Sequence, residues 1–268
     1  LSLKKMILSP TSTKIQSIYN PDVTYVTTDE PAESVGRIMQ KYDLVAIPVV
    51  DSIGRLVGRI TIDDVVDVIR EEAEKDYQMM SGISQDVESS DTIWDQTKAR
   101  LPWLIIGLFG GMLPAYMISF YEADIALFPA TAMFIPVITA MGGNVGIQSS
   151  AIVVKGLASN TLTSKNILQS ISKEISCAVI NACICSSIIF ILSLCFNLTS
   201  LAMPITVTIS LFIVIMFASM FGTAFPLLLN KLKIDPALAT GPFITLTNDI
   251  IGLNIYLFTG KAILGWLL

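Results

Sequence analysis

Five apolar runs, at about 102–121, 125–158, 174–196, 201–230 and 237–266, occupy the rear of this 268-residue chain. A helix crossing the roughly 30 Å hydrocarbon core of a bilayer needs about 20 apolar residues in succession, since each residue advances about 1.5 Å. All five runs reach that length, so the sequence predicts an α-helical membrane protein with five transmembrane helices per subunit. The second is too long: about 34 residues would make roughly 50 Å of helix, which must tilt, protrude or break. Charge divides the chain at the same place. Of its 22 acids and 17 bases, 17 acids and 11 bases lie at or before Arg100, which gives a front of net −6 and a rear of +1. A small polar domain therefore precedes the membrane part.

Lys and Arg gather on the cytoplasmic side of short loops. Lys98 and Arg100 precede the first run, Lys155, Lys165 and Lys173 lie between the second and third, and Lys231 and Lys233 between the fourth and fifth. The opposite side carries Glu122, Asp124, Lys261 and an uncharged "NLTS". The front is accordingly expected in the cytoplasm and the C-terminus outside, with no glycosylation implied by the Asn197-Leu198-Thr199 sequon. Cys177, Cys183, Cys185 and Cys195 share one apolar run without zinc-site spacing and read as small packing residues. The chain has no histidine, which excludes HExxH metalloprotease chemistry. A signal peptide is not expected, and the start at Leu1 in place of Met leads us to expect a piece of a longer protein. Nucleic acid is not expected as a partner.

Among the five acids of the rear, Asp249 stands out, because an ionised group at bilayer centre costs about 2.5–3.5 kcal/mol on insertion scales. Gly241, Thr245 and Asp249 recur at four-residue spacing with Asn248 and Gly252 beside them, so a helix turns one small or polar face. That face lines an ion or proton path, or hydrogen-bonds within a helix bundle. The second run holds "FIPVITAMGGNVGIQSS", where Gly142, Gly143, Gly146 and Pro136 ease departure from helical geometry, and Asn144 and Gln148 offer amide oxygens four residues apart. The segment either opens onto a cavity or packs closely through its small residues. No buried base is available for an anion. A hydrated Mg²⁺, held through one or two carboxylates and amides, fits better, and two chains on an axis would double the site. Glu122 and Asp124 sit at an outer boundary, Glu174 is expected to begin the third span where the helix dipole favours it, and Asp235 before Pro236 reads as a cap of the fifth.

Residues 23–75 read as strand, helix, strand, strand, helix. "VTYV" is the first strand, Pro31 starts a helix with Val35, Ile38, Met39 and Tyr42 at helical spacing, and "LVAIPVV", "DSIG" and "RLVGRIT" form a hairpin. Thr61 then caps a helix with Val65, Val68 and Ile69 on its core face. Asp63, Asp67 and Glu71 recur every four residues along it, with Asp64 and Glu72 alongside. This stripe is either a solvated face or a place where a divalent cation relieves like-charge repulsion.

"AIPVVDSIGRLVGRITIDDVVDVI" resembles a cystathionine-β-synthase (CBS) domain, and residues 20–76 are assigned to it, with residues 1–19 as the remnant of a preceding copy. The resemblance implies an ATP-type ligand at Gly58, Thr61 and Asp64; a simple capping box explains Thr61 and Asp64 equally well. Residues 77–100 follow as an acidic linker and connecting helix, and 101–268 as the membrane domain. The order from CBS domain through "RLPWL", "GGNVGIQSS" and "KEI" to "DPALATGPFITLTNDIIGL" resembles the MgtE family of magnesium transporters. What the resemblance implies is a homodimeric Mg²⁺ channel of a bacterial inner membrane, surrounded by lipid and without enzymatic activity. Its pore aspartate falls on Asp249, an acid near the cytoplasmic mouth on Asp235, and ion-facing positions on Asn144, Gln148, Thr245 and Asn248. Regulatory Mg²⁺ falls on Asp63, Asp64, Asp67, Glu71 and Glu72. A nucleotide-responsive sensor that does not conduct, and a proton- or sodium-coupled divalent cation exporter, are the alternatives.

Overall fold

The computed structural model describes residues 3–19, 22–159, 161–162, 166–195, 201–239 and 241–267. Lys165 and the sequon at 197–199 lie outside them. The chain forms two compact units, Leu1–Glu74 and Lys75–Leu268.

The first unit opens with a short helix α1 (Leu3–Leu8) and is built on a three-stranded sheet, β1 (Val26–Thr27), β2 (Ala46–Val50) and β3 (Leu56–Thr61), in that spatial order. Helix α2 (Ala32–Lys41) crosses between β1 and β2, which pair in parallel, and a hairpin joins β2 to an antiparallel β3. The hairpin turn follows from its residues. Asp51 Oδ1 accepts the N–H groups of Ile53 (3.1 Å) and Arg55 (2.8 Å), and Gly54 takes the left-handed conformation (φ +80°) that closes the turn. Val26, Val35, Met39, Ile47 and Val65 form the core, the last from α3 (Ile62–Met80). The first strand lies at the end of the expected "VTYV", with Val23 and Tyr25 exposed. Ile69, expected in the core face of α3, is 54% exposed, because the short sheet reaches only the first turns of that helix.

The second unit is helical: α4 (Ile93–Phe120), α5 (Glu122–Leu127), α6 (Ala130–Ala158), α7 (Ile167–Leu194), α8 (Ala202–Lys231) and α9 (Pro242–Leu267). Among the described residues, α4, α6, α7 and α8 are long and apolar enough to cross a membrane. The fifth expected span corresponds to α9, 26 residues long. The overlong second run breaks at Phe128–Pro129, separating α5 from α6. From Ala130 onward α6 is continuous through Gly142, Gly143 and Gly146, so the glycines do not open the backbone. The connecting segment and first span are likewise one helix, α4, which begins at a Thr92 cap whose hydroxyl accepts the Asp95 N–H.

Helix α8 is the hub, packing on α6, α7 and α9, while α4 lies against α9. Its buried face (Met203, Val207, Leu211, Val214, Ile215) meets Phe134 and Ile138 of α6, Ala182 and Ile189 of α7, and Leu253, Tyr256 and Leu257 of α9. The Tyr256 hydroxyl donates to the Thr131 carbonyl at 2.9 Å, tying α9 to the start of α6. Helix α8 ends in a Schellman motif, with Lys233 left-handed (φ +59°), its N–H on the Asn230 carbonyl and that of Ile234 on Leu229. The glycines explain why α6 and α8 pack so closely: the Gly146 carbonyl lies where a Cβ on Gly222 would stand. Replacing Gly222 by Ala forces that crossing apart, and the variant is expected to lose about 1–3 kcal/mol of stability. Thermal unfolding of the purified protein in detergent tests this, and an unchanged midpoint would contradict the packing.

Candidate functional site

Helices α6 and α9 meet along the glycines of "GGNVG". Gly142, Gly143 and Gly146 are buried and face Ile244, Thr245, Asn248 and Asp249. A Cβ on Gly143 would stand 3.4 Å from Thr245 Cγ2 and 4.0 Å from Asp249 Oδ1, and a Cβ on Gly146 would collide with the Asn248 amide. Small residues thus let the backbone of one helix reach the polar face of the other.

The polar residues of the seam separate into two settings. Asn144 and Gln148, one turn apart on α6, are exposed, and Thr245 and Asp249, one turn apart on α9, are half-buried beside Gly143. The Thr245 hydroxyl donates back to the Gly241 carbonyl at 3.1 Å. Among the described residues Asn144, Gln148 and Asp249 make no side-chain hydrogen bond, which leaves one carboxylate and two amides available. Asn248, one position from Asp249, points inward instead: it is 1% exposed, and neither its Oδ1 nor its Nδ2 has a partner among the described residues. A buried polar atom without a partner costs about 1–3 kcal/mol. The sequence had grouped Asn248 with Asp249; the 100° turn between neighbouring helical residues puts them in different surroundings.

Asp235 is exposed, and its Oδ1 accepts the Ala237 N–H at 2.8 Å, capping the 3-10 turn Pro236–Ala239 that leads to α9. It is a cap, as the sequence suggested, of that turn and not of the long helix. Gly241 immediately precedes α9, with φ +63° and the Met80 carbonyl against it, a position that only glycine fills without strain.

In the first unit, the Thr61 hydroxyl (2.6 Å) and N–H (2.9 Å) both donate to Asp64 Oδ2, so the Asp64 half of the expected capping box is formed, with the Thr61 hydroxyl turned to the carboxylate. The hydroxyl bond, and then the N–H bond, holds the Asp64 carboxyl below its ordinary value. Gly58 lies on β3 opposite Val49, with open space where a Cβ would point. Asp63, Asp67 and Glu71 line the exposed side of α3, and Glu72 is half-buried. Among the described residues no three acids converge as a metal-ligating group.

Glu174 departs from expectation. Helix α7 begins at Ile167, so Glu174 is its eighth residue and lies beyond the first turn where the dipole would favour it. Its carboxylate accepts from Ser149 and Ser219 instead. Ile167, Leu168 and Ile171 carry apolar spacing upstream of the predicted start, and that pattern could have revealed the longer helix. The serines themselves gave no signal, since isolated hydroxyls are common in membrane helices.

Residues 135–259 match the family model MgtE, described as a divalent cation transporter, and residues 15–71 match the CBS domain model. The chain belongs to the MgtE family. It is 36% identical over 256 residues to the magnesium transporter MgtE of Bacillus subtilis, covering 96% of this chain and 56% of that protein. It is 32% identical over 270 residues to that of Thermus thermophilus, covering 98% and 59%. This MgtE-family chain thus spans a little over half the length of those relatives. A crystal structure of the cytosolic domain of the Mg²⁺ channel MgtE in complex with ATP is 50% identical over 25% of this chain and 27% of that one, with a TM-score of 0.25.

The capping box yields a prediction with a definite sign. Because Asp64 is held below its ordinary value in the folded protein, the stability it contributes is complete above the unfolded value of 3.8 and is lost as pH falls through the lower, folded one. Thr61→Val removes the larger cause. The Asp64 carboxyl should then titrate closer to 3.8 by NMR, with the acid limb of unfolding moving up in pH. An unmoved titration would mean that the N–H bond alone sets the shift.

Proposed function

We propose that this chain carries the ion pathway of a homodimeric, Mg²⁺-selective channel through which Mg²⁺ enters a bacterial cell passively across the inner membrane. One observation carries the reading: α6, apolar enough to cross a membrane, carries exposed Asn144 and Gln148 and sets its Gly143 against the half-buried Asp249 of the largely apolar α9. Such a face is costly against acyl chains. A second copy on a two-fold axis would turn it inward and pair the two Asp249 carboxylates across a wet lumen. Mg²⁺ gives up its water reluctantly and is held through one or two carboxylates, and amide oxygens can accept hydrogen bonds from the water it keeps. The names of the relatives, magnesium transporters, point the same way.

In this reading α4 and α6 to α9 are the five crossing helices. Lys98 and Arg100 lie early in α4, Lys155 late in α6, Lys173 early in α7 and Lys231 at the end of α8; helices alternating in direction gather these bases on one face, the cytoplasmic one. The C-terminus is then extracytoplasmic, and Asp235 stands near the inner mouth. Entry needs no fuel, because two charges gain about 4.6 kcal/mol per 100 mV of inside-negative potential. The stripe of Asp63, Asp67, Glu71 and Glu72 supplies the regulatory side: Mg²⁺ among these acids, together with acids from elsewhere in the assembly, relieves their repulsion and favours closure. An adenosine nucleotide at Gly58, Thr61 and Asp64 would have to coexist with the bond between the latter two.

Asp249→Ala should reduce Mg²⁺ flux into vesicles containing the full-length protein to the level of empty vesicles, while the size-exclusion profile stays that of wild type. Asn144→Ala, which removes one amide and no charge, should reduce it by about tenfold or less. Undiminished flux through Asp249→Ala would remove this residue from the pathway and the proposal with it.

A further inference from the structure

Glu174 is a carboxylate within the helices that the proposed pathway does not use. Its Oε1 accepts two hydrogen bonds at once, from Ser149 of α6 at 2.6 Å and from Ser219 of α8 at 2.8 Å, and the two hydroxyls lie 3.2 Å apart. Both serines are buried, at 3% and 1% exposure. Among the described residues no Lys or Arg pairs with Glu174. One side chain of α7 therefore fastens α6 to α8. The fastening sits about one turn from a close approach of the two helices: Gly146 precedes Ser149 by three residues, Gly222 follows Ser219 by three, and the Gly146 carbonyl lies against Gly222. Beside it is a cavity of about 100 Å³, lined in part by Glu174, Ser219 and Thr223.

The consequence reaches the other side of α6. Gly142, Gly143 and Gly146 have no side chains to interlock, and a glycine surface resists rotation of a helix poorly. The helix is continuous from Ala130 to Ala158, so any rotation at Ser149 also moves Gln148 and Asn144. Two short hydrogen bonds to one side-chain oxygen supply the directional restraint that the glycines lack.

We propose that Glu174 is a positioning residue. By holding Ser149 and Ser219 together it fixes the rotation of α6, and so the presentation of Asn144 and Gln148 beside Asp249. The link to conduction rests on the function proposed above, whereas the link to the rotation of α6 does not. Two measurements on the full-length protein keep them apart. The first is Mg²⁺ flux against Mg²⁺ concentration in vesicles. The second is the rate at which a water-soluble thiol reagent modifies Asn144→Cys in a background lacking the native cysteines, a readout that needs no transport.

Glu174→Ala should raise the half-saturating Mg²⁺ concentration about fivefold or more with less than about twofold change in maximal rate, and should change the modification rate several-fold. Glu174→Gln, whose amide oxygen still accepts both hydroxyl bonds, should restore both to within about twofold of wild type. Ser149→Ala with Ser219→Ala should match Glu174→Ala and add nothing to it, because the three groups act as one unit. The single serine variants serve the same purpose if Glu174→Ala does not fold. A Glu174→Gln as impaired as Glu174→Ala would show that charge matters and the tie does not. An unchanged modification rate in Glu174→Ala would show that α6 keeps its rotation without it. Either result overturns the proposal. Altered modification with no flux in the wild type would sink the channel reading and leave the positioning role standing.

Discussion

The close approach of α6 to its neighbours is the constraint on which the membrane unit depends. At Gly146 the backbone of α6 touches α8 through Gly222 on one side and receives the Asn248 amide of α9 on the other. A side chain at either glycine would separate the three helices. In a bilayer there is little hydrophobic force between helices, so van der Waals contact and interhelical hydrogen bonds hold the bundle. Glycines maximise the first. The Glu174 carboxylate, the Tyr256 hydroxyl and the serines of α6 and α8 supply the second.

Close packing through glycine also determines where polar groups can stand. With no side chains between the helices, Asp249 comes against Gly143 while Asn144 and Gln148 stay exposed next to it. A carboxylate and two amides are carried by the two helices of a seam that is filled by Asn248, Val214 and Ile244. A carboxylate alone in an apolar helix would be a liability. In the proposed reading the exposed amides and the carboxylate together receive a cation, so that the same few residues carry both the packing and the proposed chemistry.

Much of this was legible in the chain. Long apolar runs locate membrane helices because the bilayer thickness imposes a length, and alternating apolar positions with turn residues located the small sheet and its hairpin. Asp249 could be singled out because an acid at that depth needs a reason. The glycines of "GGNVG" were ambiguous, since local sequence does not say whether glycine serves to open a helix or to let another approach. The continuous α6 shows the second use. Glu174 was misread because its helix begins a full two turns earlier than the run of apolar residues suggested, and Ile69 because the sheet proved too short to cover it.

The sequence by itself determined the membrane class, the acidic front and the identity of the few polar groups that lie among apolar ones, because these follow from transfer energies and helical period alone. The tertiary structure decided which of those groups meet. Asn248 and Asp249 are neighbours in sequence, yet one is sealed in a seam and the other stands beside open amides; Ser149, Glu174 and Ser219 are far apart in sequence and share a single oxygen. Such outcomes depend on the rotation of whole helices about their axes, which is set by contacts summed along their lengths and is written in no local segment of the chain.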